Sequence, residues 1–202
     1  MAKNFASIAF TDEVKTLQEK YGSRANYERV EKRHIVEGLT ENEFDFISQR
    51  DSFYMASIGE NGFPYIQHRG GPKGFVKMID ANTIGFIDFS GNKQYITVGN
   101  LVTNKNVSLF MIDYPAKARL KLYAKAEIIE LNKRPELLKQ LVLEDYPSKP
   151  ERMMLLHIEA YDWNCPQHIT PRFTEEEIEE ALMPQREYIK KLEQELMELK
   201  SK

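Results

Sequence analysis

The chain has 202 residues, of which 42% are hydrophobic and 29% are charged, as is usual for a folded globular protein. Its formal net charge of −3 gives no reason to expect nucleic acid as a partner, and its single cysteine excludes an internal disulfide bond. No apolar run approaches the ~18 residues of a membrane span, and residues 1–10 lack the apolar core of a signal peptide, so we expect a cytoplasmic protein without a membrane partner.

Residues 1–39 predict a polar N-terminal arm with a short helix. Thr11 is placed to cap a helix that runs through Leu17 to Tyr21, and Gly22 ends it. Residues 24–33 are dense in charge and predict either solvated surface or a strap that faces a partner.

Residues 40–173 carry the pattern of a small β-barrel. Thr40 and Glu43 form a capping box that predicts a helix to about Gln49, and further helices are expected over residues 93–103 and 135–144. Seven short strands are expected, over residues 53–58, 63–68, 74–79, 83–89, 107–112, 119–130 and 153–161. Many short strands with few helices favour a mainly β fold, an antiparallel barrel with flanking helices.

Residues 174–202 predict a separate C-terminal amphipathic helix. Thr174 and Glu177 form a second capping box, and Pro184 is expected to kink the helix. Spacings of four and three then define a heptad seam with one polar member: Ile178, Leu182, Gln185, Ile189, Leu192, Leu196 and Leu199. The seam packs either on its own barrel or against another subunit, and the sequence leaves both interpretations open.

Two clusters of hydrogen-bond donors lie within residues 40–173. Residues 67–71 (Gln-His-Arg-Gly-Gly) lie before an apolar run, and residues 90–94 (Ser-Gly-Asn-Lys-Gln) follow the predicted strand 83–89. A helix that began at the second cluster would add free N–H groups and its positive dipole end. The alternative is an ordinary helix cap and hairpin loop. A single strand pair joins the clusters, so together they favour a site for a phosphorylated cofactor.

Residues 64–76 resemble the first signature of the FMN-binding proteins related to pyridoxamine 5'-phosphate oxidase. Further segments that resemble this family are residues 86–94, 99–101, 106–109, 119–126 and 163–169. The resemblance covers roughly residues 40–173. It implies an FMN-binding split β-barrel that forms a homodimer with the cofactor at the subunit interface.

The resemblance also implies a set of cofactor-binding residues. Lys93 and Arg69 would hold the phosphate, and Gly70 would let the backbone approach the flavin closely. Arg119 stands where the family places a residue that faces the cofactor, and Trp163 would stack near the flavin ring. The predicted cofactor-binding residues are Gln67, His68, Arg69, Gly70, Ser90, Asn92, Lys93, Gln94, Arg119, Trp163 and Asn164.

Other chemistry has less support in the sequence. Trp163 alternatively belongs to the core, and Cys165 is expected to be a small buried residue. Cys165, His168 and His157 lack the further ligands that a metal site needs, so no metal is predicted. Catalytic residues stay open, since the acid–base candidates have no partner that spacing identifies: Asp88, Asp113 and His68.

The C-terminal segment distinguishes this chain from pyridoxamine phosphate oxidase itself. The oxidase has an Arg-rich carboxy-terminal segment that helps bind the substrate phosphate, whereas residues 174–202 are acidic and leucine-bearing. The physiological substrate therefore stays open. We expect an FMN-binding oxidoreductase that acts on a small molecule. The alternatives are a non-enzymatic flavin- or haem-binding module and a structural dimer module whose helix recruits partners.

Overall fold

One antiparallel sheet of seven strands organises the computed structural model, which describes residues 4–33, 38–144, 146–163 and 166–201. The strands of the described chain are β1 (Ser52–Ile58), β2 (Pro64–Gly70), β3 (Lys77–Asp80), β4 (Thr83–Phe89), β5 (Asn106–Asp113), β6 (Ala118–Ile129) and β7 (Pro150–Trp163). They follow the order β2-β1-β5-β6-β7-β4-β3 across the sheet. The predicted mainly β fold with flanking helices is confirmed.

Helices precede, connect and follow the strands. The helices of the described chain are α1 (Phe5–Ala9), α2 (Asp12–Lys20), α3 (Arg24–Arg33), α4 (Glu41–Ser48), α5 (Ile96–Thr103), α6 (Pro135–Leu141) and α7 (Glu175–Lys200). Within the described residues, none of them is both long and apolar enough to cross a membrane. The chain divides into two compact units, one with all seven strands and α1–α6, the other with α7 and the segment Tyr114–Lys117.

The sheet curls on itself into a barrel. The ring of Phe53 on β1 lies 5.5 Å from that of Phe86 on β4, although β5, β6 and β7 stand between these two strands in the sheet. Phe75, which lies before β3, completes the cluster at 5.8 Å from Phe53. Because β2 and β3 form the two ends of the described sheet, the barrel is split on that side.

Strand β4 is buried on both faces. Ile84 and Phe86 belong to the cluster inside the barrel, whereas Ile87 packs with Leu141 of α6 in a second cluster outside it. Gly85 faces this second cluster, where a Cβ atom would lie only 2.7 Å from the Leu155 side chain. The alternation of strand side chains therefore gives β4 one row of residues inside the barrel, and Asp88 continues that row after Phe86.

The predicted helix starts are confirmed at three capping residues. Thr11 accepts the Val14 N–H, and Thr174 accepts the Glu177 N–H at 3.2 Å. At α4 the Glu43 carboxylate accepts the Thr40 N–H at 3.0 Å. Each of these bonds satisfies a backbone N–H that the start of the helix would otherwise leave unpaired.

Several predicted boundaries are wrong. The helix expected from residue 93 begins at Ile96, because Lys93 and Tyr95 adopt left-handed backbone with φ of 60° and 54° and cannot belong to an α-helix. The strand expected from residue 74 begins at Lys77, since the residues before it form a turn. Helix α6 ends early, at Leu141, and β7 extends to Trp163.

The N-terminal arm packs against the barrel. The ring of Phe5 stacks on Tyr123 of β6, with the two ring centroids 4.6 Å apart. The charge-rich segment expected to be solvated surface or a strap forms α3, in which Arg24 pairs with Glu31 at 2.5 Å.

Candidate functional site

A cleft of about 230 Å³ opens where β2 approaches β4 and β7. Strand alternation turns Tyr65, Gln67 and Arg69 of β2 towards it and leaves His68 exposed on the opposite face. The rest of the lining comes from the end of β4, the loop of residues 90–95, the first turn of α5 and the start of β7. The cleft therefore lies on the split side of the barrel.

Asp88 joins the two sides of the cleft. Its carboxylate pairs with Arg69 of β2 and, at 2.8 Å, with Arg152, which stands directly opposite on β7. These side chains are largely buried, with exposed fractions of 6% for Asp88, 11% for Arg69 and 14% for Arg152. In the described sheet β2 forms backbone hydrogen bonds with β1 and not with β4, so the Asp88–Arg69 pair connects two strands that are not neighbours in the sheet.

The cleft carries an excess of positive charge. Its cationic side chains are Arg69, Lys93 and Arg152, and its anionic side chains are Asp88 and Glu151. The Nε of Arg69 is buried and has no hydrogen-bond partner among the described residues. A ligand with several anionic oxygen atoms would balance this charge and accept hydrogen bonds from the guanidinium groups.

The loop after β4 forms one wall of the cleft. The Ser90 N–H donates to the Lys149 carbonyl at 3.0 Å, and the Gln94 N–H donates to the Asn92 side chain at 3.2 Å. The left-handed conformation of Lys93 lets the loop turn back before α5 begins. These bonds hold a short segment that brings three side-chain donors to one place: Asn92, Lys93 and Gln94.

Tyr95 closes the loop beside β7. The Arg152 guanidinium lies over its ring, 5.2 Å from the centroid. A hydrogen bond to Glu151 is the main cause that raises the pKa of the Tyr95 hydroxyl, and partial burial acts in the same direction. The hydroxyl therefore stays protonated at neutral pH and is a neutral group in the cleft.

Helix α5 is fixed to the β1–β2 hairpin by two side-chain hydrogen bonds. The Thr97 hydroxyl donates to the Gln67 side-chain oxygen at 2.8 Å, and the Asn100 amide donates to the Ser57 hydroxyl at 3.0 Å. Because the oxygen of Gln67 accepts from Thr97, its NH₂ is the group with which it can bind a ligand.

Five predicted cofactor-binding residues line the cleft, namely Gln67, Arg69, Asn92, Lys93 and Gln94. Five others in the described chain do not line it: His68, Gly70, Ser90, Arg119 and Trp163. His68 packs its ring 5.6 Å from that of Tyr54 on the other face of the sheet. The consecutive residues Gln67 to Gly70 cannot all face one site, because successive strand side chains point to opposite faces.

Trp163 does not line the cleft. Its indole N–H donates to the Glu43 carboxylate at 2.6 Å, and its ring meets that of Phe46 edge to face at 4.8 Å. It is half-buried and packs against the barrel core. Asn164 and Cys165, which the sequence analysis also named, lie outside the described residues.

Sequence reasoning missed six polar or aromatic residues of the cleft: Tyr65, Phe89, Tyr95, Thr97, Glu151 and Arg152. Tyr65 could have been found from strand alternation, because it lies two positions before Gln67. Arg152 was missed because β7 was expected to start at residue 153, and only the pairing of β4 with β7 sets Arg152 opposite Asp88.

The remaining candidates have structural partners outside the cleft. His157 lies 2.9 Å from Glu127 on the neighbouring strand, and Asp113 pairs with Arg50 at 2.6 Å. Within the described residues, no group of three or more His, Cys, Asp or Glu side chains could hold a metal ion.

The fold and the site define a split β-barrel with a cationic cleft on its split side. The sequence model of the pyridoxamine 5'-phosphate oxidase family matches residues 39–163, which is more than half of the chain. The chain therefore belongs to this family, and the resemblance seen in the sequence is confirmed. No curated protein matches the chain in sequence.

Solved structures with a similar fold have little sequence in common with this chain. HupZ from Group A Streptococcus is 16% identical, with a TM-score of 0.51 over 67% of this chain and 99% of that chain. A candidate pyridoxamine 5'-phosphate oxidase from Lactobacillus delbrueckii is 18% identical, with a TM-score of 0.49 over 64% of this chain and 97% of that chain. HutZ from Vibrio cholerae, described as a haem storage protein, is 17% identical, with a TM-score of 0.40 over 61% of this chain and 92% of that chain. At this level of identity the likeness concerns the fold alone.

Proposed function

We propose that the chain binds FMN in the cleft and uses it as an oxidoreductase on a small molecule. The observation that carries this proposal is the set of three cationic side chains, Arg69, Lys93 and Arg152, around the cleft of a pyridoxamine 5'-phosphate oxidase family member. Lysine and arginine together suit a phosphate, which takes point charge from one and paired hydrogen bonds from the other.

The residues of the cleft fit the polar half of FMN. Lys93 and Arg152 would bind the phosphate, and the buried Nε of Arg69 supplies a further donor. The side-chain amides of Gln67 and Gln94 would bind phosphate or ribityl oxygens. When bound, FMN supplies electron and hydride transfer between a reductant and the substrate. The protein binds and orients it, and Asp88 keeps both arginines in place.

A spectrum of the purified protein after incubation with FMN tests the proposal. We expect flavin absorption that stays with the protein at near one FMN per chain, and release of FMN identified by mass. A folded, colourless protein that takes up no added FMN would overturn the proposal and favour the structural dimer module. A Soret band in place of flavin absorption would overturn it in favour of haem.

Replacing Lys93 should weaken FMN binding without weakening the fold. Lys93→Ala removes an exposed cation of the cleft, and loss of a charged hydrogen bond costs about 1.5–3 kcal/mol of binding free energy. The measurement is a titration of FMN fluorescence, with riboflavin as a second ligand that lacks the phosphate. Riboflavin affinity should be unchanged.

Lys73→Ala is the matched control for this prediction. Lys73 is exposed, belongs to the same family signature as Arg69 and does not line the cleft. FMN affinity equal to that of the unaltered protein in both variants would contradict the phosphate assignment.

We also propose that the chain forms a homodimer with the cofactor at the subunit interface. The cleft, at about 230 Å³, is smaller than the ~300–1,000 Å³ of typical ligand sites, so one chain encloses only part of a flavin-sized molecule. Strand β2 ends the described sheet, and between the residues that line the cleft it exposes Ile66, at 65%, so a second chain packed along this edge would lie beside the cleft.

A dimer-breaking change should therefore also release FMN. Ile66→Glu places a charge on the exposed face of β2, and we expect a monomer by light scattering with reduced flavin content. Val142→Glu, which charges an exposed apolar residue after α6, should leave both properties unchanged. A stable monomer that keeps full flavin stoichiometry would contradict the proposal that dimerisation and FMN binding are coupled.

A further inference from the structure

Helix α7 exposes an apolar seam with one polar member, Gln185. It spans 26 residues with none of them buried, and seam residues such as Ile189 and Leu196 are 49% and 52% exposed. A seam of this kind with a heptad period is the usual contact surface of a coiled coil. Pro184 is one position before Gln185, outside the seam, and α7 continues through it.

The heptad positions can be assigned from the seam. Positions a are Leu182, Ile189 and Leu196, and positions d are Ile178, Gln185, Leu192 and Leu199. The flanking e positions, one residue after each d, are Glu179, Arg186, Glu193 and Lys200. Their charges alternate in sign along the helix, and flanking charges decide the partner and orientation of a coiled coil.

This alternation is self-complementary when two copies run antiparallel. In an antiparallel pair e positions face e positions, so Arg186 lies opposite the partner's Glu193 and Glu179 lies opposite the partner's Lys200. The twofold symmetry repeats each contact, and all of these pairs join opposite charges. We propose that α7 pairs antiparallel with α7 of a second copy of this chain, in this register.

The parallel arrangement makes less use of the same charges. There e positions face g positions, which are Ala181, Tyr188 and Glu195, and Glu195 with Lys200 is the one attractive pair. The parallel pair would set Gln185 against its own copy, whereas the antiparallel pair sets it beside the partner's Leu196. Both arrangements have a twofold axis, so the charges and the position of Gln185, not the symmetry, favour antiparallel pairing.

Charge reversal tests the register on the full-length chain. Arg186→Glu alone and Glu193→Arg alone each turn attractive pairs into repulsive ones, and we expect each to weaken α7-dependent association about tenfold or more at low salt. The double variant Arg186→Glu/Glu193→Arg restores the pairs, and so does mixing the two single variants. Sedimentation equilibrium measures the association.

Chemical crosslinking gives a second readout that does not depend on pairing of the barrels or on flavin. In a Cys165→Ser background, a mixture of Arg186→Cys and Glu193→Cys chains should crosslink with a short bis-maleimide. Gln185→Cys alone should not, because the antiparallel register separates the two copies of position 185 by eleven residues, roughly 16 Å along the helix. Crosslinking of Gln185→Cys with itself would overturn the proposal in favour of parallel pairing. Charge reversals without effect, together with no crosslink in either experiment, would overturn it in favour of an idle or intramolecular seam.

Discussion

Asp88→Asn is expected to destabilise the protein by about 3–5 kcal/mol of unfolding free energy. The substitution keeps the size of the side chain but removes the negative charge that Arg69 and Arg152 share. Both guanidinium groups are more than four-fifths buried, at 11% and 14% exposure, so water cannot replace the lost carboxylate. Chemical denaturation at neutral pH measures the effect.

Asp162→Asn provides the matched control. Asp162 pairs with Lys121 at 3.0 Å, but its side chain is 44% exposed, and exposed pairs contribute less than about 1 kcal/mol. Equal losses in the two variants would show that Asp88 does not hold the cleft together.

Glu43→Gln should be the next most damaging change, at about 2–3 kcal/mol of unfolding free energy. Glu43 is 4% exposed, and its carboxylate accepts hydrogen bonds from the Thr40 N–H, the Asn42 amide and the Trp163 indole. A glutamine at this position would direct its NH₂ group at other N–H donors, with which it cannot form a hydrogen bond. Loss of these hydrogen bonds should therefore weaken the contact between the start of α4 and the end of β7.

The same carboxylate predicts a dependence of stability on pH. Burial by itself raises the pKa of Glu43, but hydrogen bonds from Thr40 and Trp163 outweigh it, and the net pKa lies below the ordinary value of 4.5. Because the folded-state pKa lies below 4.5, the ionised carboxylate stabilises the fold above pH 4.5. This stabilisation is lost as the pH falls through the folded-state pKa. The stability difference between the unaltered protein and Glu43→Gln should thus be constant near neutral pH and shrink in acid.

Tyr161 shows that the pocket around Glu43 disfavours a second negative charge. Burial first, and the nearby Glu43 carboxylate second, raise the pKa of the Tyr161 hydroxyl to about 12. Ionisation of Tyr161 therefore does not enter the pH dependence of stability in acid.

Glu177→Gln is the control for Glu43→Gln, since Glu177 takes the same place in the capping box of α7. Its carboxylate accepts the Thr174 N–H at 2.8 Å in an exposed position. We expect less than about 1 kcal/mol for the control. A loss as large as that of Glu43→Gln would mean that the cap alone, and not burial, accounts for the effect.

Local signals in the sequence were sufficient for most of the secondary structure. Capping boxes at Thr40 and Thr174 place two helix starts, and Gly62, with φ of 82°, takes the left-handed position of the β1–β2 turn. The strand 83–89 coincides with β4. These features depend on neighbouring residues, which a sequence displays directly.

The centre of the cleft could not be predicted in this way. Asp88 meets Arg69 and Arg152 only because the sheet curls, and neither partner is near Asp88 in the chain. The donor cluster at residues 67–71 was expected to act together, but strand alternation sends Arg69 to the cleft and His68 to the opposite face. The start of α5 was predicted wrongly because the left-handed conformation of Lys93 and Tyr95, both non-glycine residues, has no local sequence signal.

The strand order has a consequence for how the protein folds as it is synthesised. Strands β2 and β4 are close in sequence, yet they are joined through the sheet only by way of β1, β5, β6 and β7. A ribosome-bound chain that ends before β7 therefore carries both donor clusters without the strand that aligns them. The barrel depends on contacts of long sequence separation, which predicts slow closure, with the binding cleft among the last parts to form. Until β7 emerges, the nascent chain exposes an unpaired β4 edge, and that interval is when it is most prone to aggregate.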